Sequence, residues 1–172
     1  MAHLFEKDYQ NIYSGKTRVS FDLDEVLFVC PDTHKTEPAL PFPFNKLYKE
    51  RFRLGTPDLI HQLQDMGVEV WVYTSSFRSE NYIKKIFRHY GVKFDGIING
   101  QRHLREVQAG HKEILPQKLP NKYGISLHID DESVIAIHGR TYGFKVYQLE
   151  EQDDDWKEKI LECVKSIQNN PS

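Results

Sequence analysis

The feature that most restricts this chain is an alternation. Short apolar runs rich in β-branched and aromatic residues recur between stretches of helical periodicity. Residues 17–22 (TRVSFD) read as a strand. Residues 56–66 (TPDLIHQLQDM) read as a helix, with Thr56 as N-cap, Pro57 at the first helical position and Gly67 as its stop. Residues 68–73 (VEVWVY) form a second predicted strand. Residues 79–90 form a second predicted helix, capped by Ser79 and followed by Gly91. Further strands are expected at 97–98, 125–129 and 143–149, with a short helix around 132–138 ending at Gly139. Asp153 is expected to cap a last amphipathic helix whose apolar stripe is Trp156, Ile160, Leu161, Val164 and Ile167.

Strand, helix, strand in this order builds βαβ units. Their right-handed crossovers make the sheet parallel and put helices on both of its faces. The expected fold is therefore α/β: a doubly wound, Rossmann-like three-layer sandwich around a central parallel sheet of about five strands. The 172 residues suit a single domain, 1–172. In such sheets ligands bind beyond the carboxyl ends of the strands.

The carboxylates gather at those ends. The first strand runs into FDLDEVLF, with Asp22 at its end and Asp24 two residues on. The fourth runs into HIDDES, with Asp130 and Asp131. One aspartate at a strand end is commonly a turn former or cap. Four brought to one edge repel each other unless a hard cation neutralises them, and an all-oxygen set suits Mg2+. The second strand ends in VYTSS, so Thr74 and Ser75 share the edge and offer donors to a phosphate. The plainer role for Thr74 is to cap the following turn. A balancing cation is sought among Lys112, Lys118 and Lys122, which all precede the fourth strand.

These motifs resemble those of the haloacid dehalogenase (HAD) superfamily of phosphatases, in order and over almost the whole chain. FDLDEVL is similar to the DxDx(T/V) motif, with Asp22, Asp24 and Val26 in register. WVYTS is similar to the apolar strand ending in Thr or Ser, and HIDDES to the DD motif. The motif lysine is assigned to Lys118, with Lys112 as second choice. The resemblance implies a HAD-like hydrolase domain. Asp22 would be the nucleophile that forms an aspartyl-phosphate, and Asp24 the general acid and base. Mg2+ would be bound by Asp22, the Asp24 backbone carbonyl, Asp130 and Asp131, and the phosphate by Thr74, Ser75 and Lys118. An acid at Asp24 points to phosphate esters rather than carbon–halogen bonds.

The two places where the superfamily inserts cap domains are short here. Residues 28–55 suffice for a flap and a short helix, and residues 99–117 for less than a domain. The resemblance thus implies a capless enzyme with an open site that admits a large or nucleotide-type phosphorylated substrate. Phe28, Phe42 and Phe44 in the first insertion either read a substrate or pack on the core; packing is the expected role. A basic set that includes Arg78, Lys84, Lys85, Arg88, Arg102 and Arg105 is ordinarily a solvated face, though it could meet a nucleic-acid backbone.

Composition excludes more than it selects. The net charge of −2 gives no general field for nucleic acid or anionic membrane. Two cysteines are too few for a disulfide framework. The opening MAHLFEKDYQ has no signal-peptide core, and no run approaches a membrane span, so a cytoplasmic location is expected. The first functional reading is a Mg2+-dependent phosphohydrolase. The others are a phosphotransferase using the same intermediate and a non-catalytic binding module on the same fold. Oligomeric state leaves no mark in the sequence.

Overall fold

A computed structural model of the chain describes residues 15–170. The opening segment MAHLFEKDYQ, expected to lack a signal-peptide core, lies outside the described residues. Five parallel strands form one sheet in the order β3-β2-β1-β4-β5. They are β1 (Arg18–Phe21), β2 (Glu69–Tyr73), β3 (Gly96–Ile98), β4 (Leu127–Asp130) and β5 (Val146–Gln148). The chain winds outward from β1 in one direction and then crosses back to β4. The switch in strand order therefore falls between β1 and β4. Register is direct there, with Ser20 opposite His128 and Phe21 opposite Ile129.

The helices are α1 (Phe44–Leu47), α2 (Thr56–Asp65), α3 (Glu80–Arg88), α4 (Gly100–His103), α5 (Ser133–Tyr142) and α6 (Trp156–Asn169). A π turn (Leu104–Gln108) continues α4, and a 3-10 turn (Pro120–Tyr123) precedes β4. The period of two in the strands divides the interior. Val19, Phe21, Val70, Val72, Leu127 and Ile129 face a large core completed by α2, α3 and α6. Trp71, Tyr73 and Ile98 face a smaller one completed by Val107, Tyr123 and Ile125. Phe87 anchors the large core, with its ring centroid 4.4 Å from Phe52, 5.5 Å from Phe28 and 4.6 Å from Phe94. A Phe→Ala truncation at such a position costs about 3–5 kcal/mol.

Several expected boundaries move. Thr56 is the first helical residue rather than the N-cap; Gly55 takes the cap position at φ 91°. Its left-handed backbone suits glycine. Ser79 does cap α3, its side chain accepting the Tyr82 N–H. The helix expected to end at Gly139 runs through it to Tyr142 and stops at Gly143, φ 78°. Gly139 is there for packing: a Cβ would sit 2.6 Å from the Phe144 carbonyl oxygen. The start of β4 lies two residues later than expected; just before it, the Ser126 side chain accepts the Arg18 N–H at 3.4 Å. Asp153 sits one turn before α6. It accepts the Asp155 N–H at 3.0 Å and pairs with Lys159 at 2.7 Å.

The insertion between β1 and α2 occupies residues 28–55. It lies along α3: Phe44 contacts His89, Tyr48 contacts Tyr82 and His89, and Tyr90 donates its hydroxyl to the Pro38 carbonyl. Phe28 is buried in the core, Phe44 packs on His89, and Phe42 is exposed. Among the described residues no helix is long and apolar enough to cross a membrane.

Candidate active site

β1 and β4 deliver the acidic groups. Asp22 follows β1 and stays tied to β4, its N–H donating to the Ile129 carbonyl at 3.0 Å. Its Oδ1 accepts the Leu23 N–H at 2.7 Å, and its Oδ2 lies 2.8 Å from the Lys118 Nζ. Asp130 ends β4, fully buried. Lys118 donates to its Oδ2 at 2.5 Å, His128 contacts the same atom at 2.8 Å, and the Glu132 N–H donates to Oδ1 at 3.0 Å. Asp131 is half-buried beside them. One carboxylate oxygen each from Asp22, Asp130 and Asp131 lies within 4.8 Å of the other two.

Lys118 makes that floor tolerable. Burial alone would push its ammonium down, yet Asp22 and Asp130 more than offset this and raise its pKa. Burial likewise pushes the Asp130 carboxyl up, but the His128 hydrogen bond and the Lys118 charge outweigh it and hold it at about 2. Among the described residues Asp131 makes no such ion pair. Burial first, then the Asp130 and Asp22 charges, raise it to about 6. Three carboxylates against one ammonium leave an unbalanced negative charge, and a divalent cation with oxygen preference would relieve it. Asp130 Oδ2 already accepts two bonds, so Oδ1 has the lone pair left to offer. The residues present fit Mg2+.

The three candidate lysines lie in different surroundings. Lys118 is buried against both aspartates, Lys112 is exposed, and Lys122 donates to the Glu106 carbonyl away from the cluster. Tyr73 anchors the arriving segment: its hydroxyl accepts the Leu119 N–H at 2.9 Å and contacts His103 Nδ1 at 2.6 Å. Burial depresses the His103 pKa, so its ring is neutral and takes the tyrosine hydrogen.

Thr74 is buried at the end of β2, and its hydroxyl accepts the Ser76 N–H at 3.1 Å. That is the turn-capping role. Accepting there leaves its own O–H hydrogen for another acceptor. Ser75 is exposed on the same edge. Its carbonyl approaches Gly100 so closely that a Cβ there would sit 2.4 Å away.

Asp24 stands apart. The turn carrying it folds back on Leu23, whose carbonyl accepts N–H groups from Val26, Leu27 and Phe28, and Glu25 takes φ 60°. Arg53 holds this turn from behind, donating to the Val26 and Glu25 carbonyls at 2.8 and 2.7 Å. In front, both Asp24 oxygens accept from the Arg78 fork, at 2.8 and 2.9 Å.

Sequence reasoning missed His128 and Ser20, whose side chains meet at 2.8 Å behind the cluster. A readable signal existed. Each polar residue precedes its aspartate by two in an otherwise apolar strand, so each shares that aspartate's face. Both are fully buried, so Ser20 cannot act as a nucleophile. Glu50 left no signal. A cavity of about 610 Å³ lies to one side, among His34, Lys35, Leu54, Asp154 and Trp156, and none of the four aspartates lines it.

Solved structures with this topology exist. A HAD-superfamily hydrolase from Geobacter sulfurreducens PCA aligns with a TM-score of 0.52 at 13% identity, covering 86% of this chain and 99% of that one. This chain has the haloacid dehalogenase fold. The HAD domain of the effector protein Lem4 from Legionella pneumophila aligns at 0.50 with 16% identity, covering 87% and 94%. A HAD-family enzyme from Bacteroides thetaiotaomicron aligns at 0.50 with 12% identity, covering 85% and 99%. That enzyme is an aspartate-to-alanine mutant in complex with magnesium and inorganic phosphate. No protein-family model and no curated protein matches the sequence. The HAD fold puts its strand ends, and hence Asp22, Asp130 and Asp131, on one edge of the sheet.

Proposed function

We propose that the chain is a Mg2+-dependent phosphohydrolase that cleaves a phosphate monoester through an aspartyl-phosphate on Asp22. The observation that carries this reading is the cluster of three carboxylates within 4.8 Å, bridged by the buried Lys118. A structural ion pair needs one acid per base. A surplus of acids at the strand ends of a HAD fold, with a lysine touching the candidate nucleophile, suits an incoming dianion accompanied by a metal.

The residues act in two stages. An Asp22 carboxylate oxygen attacks phosphorus in line, and the bond to the ester oxygen breaks. Asp24 gives its proton to that departing oxygen. A water then attacks the aspartyl-phosphate and passes its proton to Asp24, releasing inorganic phosphate and restoring Asp22. Thr74 and Ser75 donate to the phosphate oxygens, and the Lys118 ammonium offsets charge as the phosphate approaches. Asp22, the Asp24 backbone carbonyl, Asp130 and Asp131 would hold the magnesium. When bound, the ion shields the nucleophile from the phosphate's charge.

The segments at the two insertion points, 28–55 and 99–117, are too short for a cap domain, which supports a large or nucleotide-type substrate. The test is turnover of an aryl phosphate with magnesium, followed by a panel of phosphoproteins, nucleotides and phosphorylated nucleic-acid ends. Turnover with magnesium that a chelator abolishes is the expected result. A well-folded chain that hydrolyses no phosphoester under these conditions would overturn the reading.

A further inference from the structure

The residue most closely bound to the proposed acid lies in none of the four motifs. Arg78 sits just before α3, half-buried, and uses every edge of its guanidinium. Its two terminal nitrogens grip the two Asp24 oxygens at 2.8 and 2.9 Å. Its Nε donates to Glu50 Oε1 at 3.1 Å, and one terminal nitrogen also reaches the Ser76 hydroxyl at 2.9 Å. Glu50 comes from the insertion, and its other oxygen accepts the Tyr82 hydroxyl at 2.6 Å. The guanidinium further lies over the Phe28 ring, 5.5 Å from its centroid. The backbone is equally tied, since the Asn99 amide donates to the Arg78 carbonyl at 2.9 Å.

A solvated arginine has no reason to be so fully held. Asp24, by contrast, has a side chain 53% exposed, and among the described residues its side-chain hydrogen bonds are those of this fork. An exposed carboxylate on a turn samples several rotamers, and proton transfer needs it within hydrogen-bond reach of the departing oxygen. A planar fork fixes both the position and the plane of a carboxylate, which a lysine cannot do.

Resting on the phosphohydrolase reading, we propose that Arg78, itself aimed by Glu50 and Tyr82, is the positioning residue for the Asp24 acid. The insertion after β1 thereby serves the chemistry through Glu50. The step it assists is the transfer of the Asp24 proton to the ester oxygen as the phosphorus–oxygen bond breaks and the Asp22–phosphorus bond forms.

The test compares leaving groups. Nitrophenyl phosphate departs as a stable anion and needs little protonation, whereas an alkyl phosphate departs as an alkoxide and needs the acid. Wild type, Arg78→Ala, Arg78→Lys and Glu50→Gln are assayed on both, with melting temperatures measured alongside. In Arg78→Ala, kcat on the alkyl phosphate should fall about tenfold or more beyond its fall on nitrophenyl phosphate. Arg78→Lys should recover little of this, and Glu50→Gln should show a smaller loss of the same selectivity. Equal losses on both substrates through KM would make Arg78 a phosphate-binding residue and overturn the proposal. Equal losses that track a lowered melting temperature would make it structural only, with the same consequence. A folded wild type inactive on both substrates sinks the phosphohydrolase reading and this one together; turnover without the leaving-group effect sinks this one alone.

Discussion

The floor and the rim of the site are built by different physics. On the floor, Asp22, Lys118 and Asp130 have side chains no more than 7% exposed, and the pairs are 2.8 and 2.5 Å long. At the rim, Arg78 and Asp24 are 29% and 53% exposed, yet they pair at a similar 2.8 Å. Distance alone does not separate the two pairs; burial does. Removing one partner of a buried pair strands a charge and costs about 3–5 kcal/mol, while an exposed pair contributes about 0.2–1 kcal/mol. Truncating a floor residue is therefore expected to cost folding stability. The rim can be altered without unfolding the chain, so its purpose must be read in kinetics.

The sharpest break in the comparison is Asp22→Asn. The amide keeps the shape and still accepts the Leu23 N–H, but it supplies no anionic nucleophile. Turnover should drop by roughly 10⁴-fold or more with the circular dichroism spectrum unchanged. A variant with near wild-type turnover would remove the mechanism. Next comes Lys118→Ala, which should cost about 3–5 kcal/mol in denaturant unfolding and most of the activity, because two carboxylates are left buried together. Lys112→Ala should change neither. The reverse outcome would show that the wrong lysine has been assigned.

Magnesium probes the floor without mutation. A ligand that binds only the folded chain stabilises it by about 2.7 kcal/mol at a hundredfold excess over Kd. Thermal unfolding should shift upward with Mg2+, return to its starting point with chelator, and show no shift in Asp130→Asn. A shift that survives Asp130→Asn would place the ion elsewhere. At the rim, Arg78→Ala should lower folding stability by no more than about 1 kcal/mol. A loss comparable to that of Lys118→Ala would erase the distinction between the two regions.

The smallest expected effect lies behind the floor, at His103. Burial holds its folded pKa below the ordinary 6.5, so the unfolded chain binds the extra proton. The associated stability is fully present above about pH 6.5 and is lost as pH falls toward the folded value. His103→Gln should flatten the dependence of melting temperature on pH between about pH 7 and pH 5 relative to wild type. An unchanged slope would mean that the ring binds its proton alike in the folded and unfolded chains, and the depression by burial would fail with it.

Much of this was legible beforehand, and the exceptions share a cause. Order and type of the main strands and helices followed from periodicity, and Ser79 was recognised as a cap from its own neighbourhood. Gly139 misled because a glycine that packs looks like a glycine that stops a helix until Phe144 is seen against it. Thr56 misled because Gly55 took the cap position in its place. The aspartates were visible because strand ends are visible. The identity of the lysine rested on loop geometry, and Arg78 looked like one more basic residue on a solvated face. Its partners Asp24 and Glu50 lie 54 and 28 residues away in the chain.

By itself, then, the sequence determined what depends on neighbours two to four residues apart: the βαβ alternation, the parallel sheet it implies, and the arrival of Asp22 and Asp130 at strand ends. Tertiary structure alone decided which cation meets them, how His128 and Ser20 back the cluster, and that the insertion follows α3 and reaches the site through Glu50. Backbone periodicity is a local property, set by the stereochemistry of each residue and its turn. Side-chain pairing across a fold depends on where separate elements come to rest, and short-range patterns do not encode that.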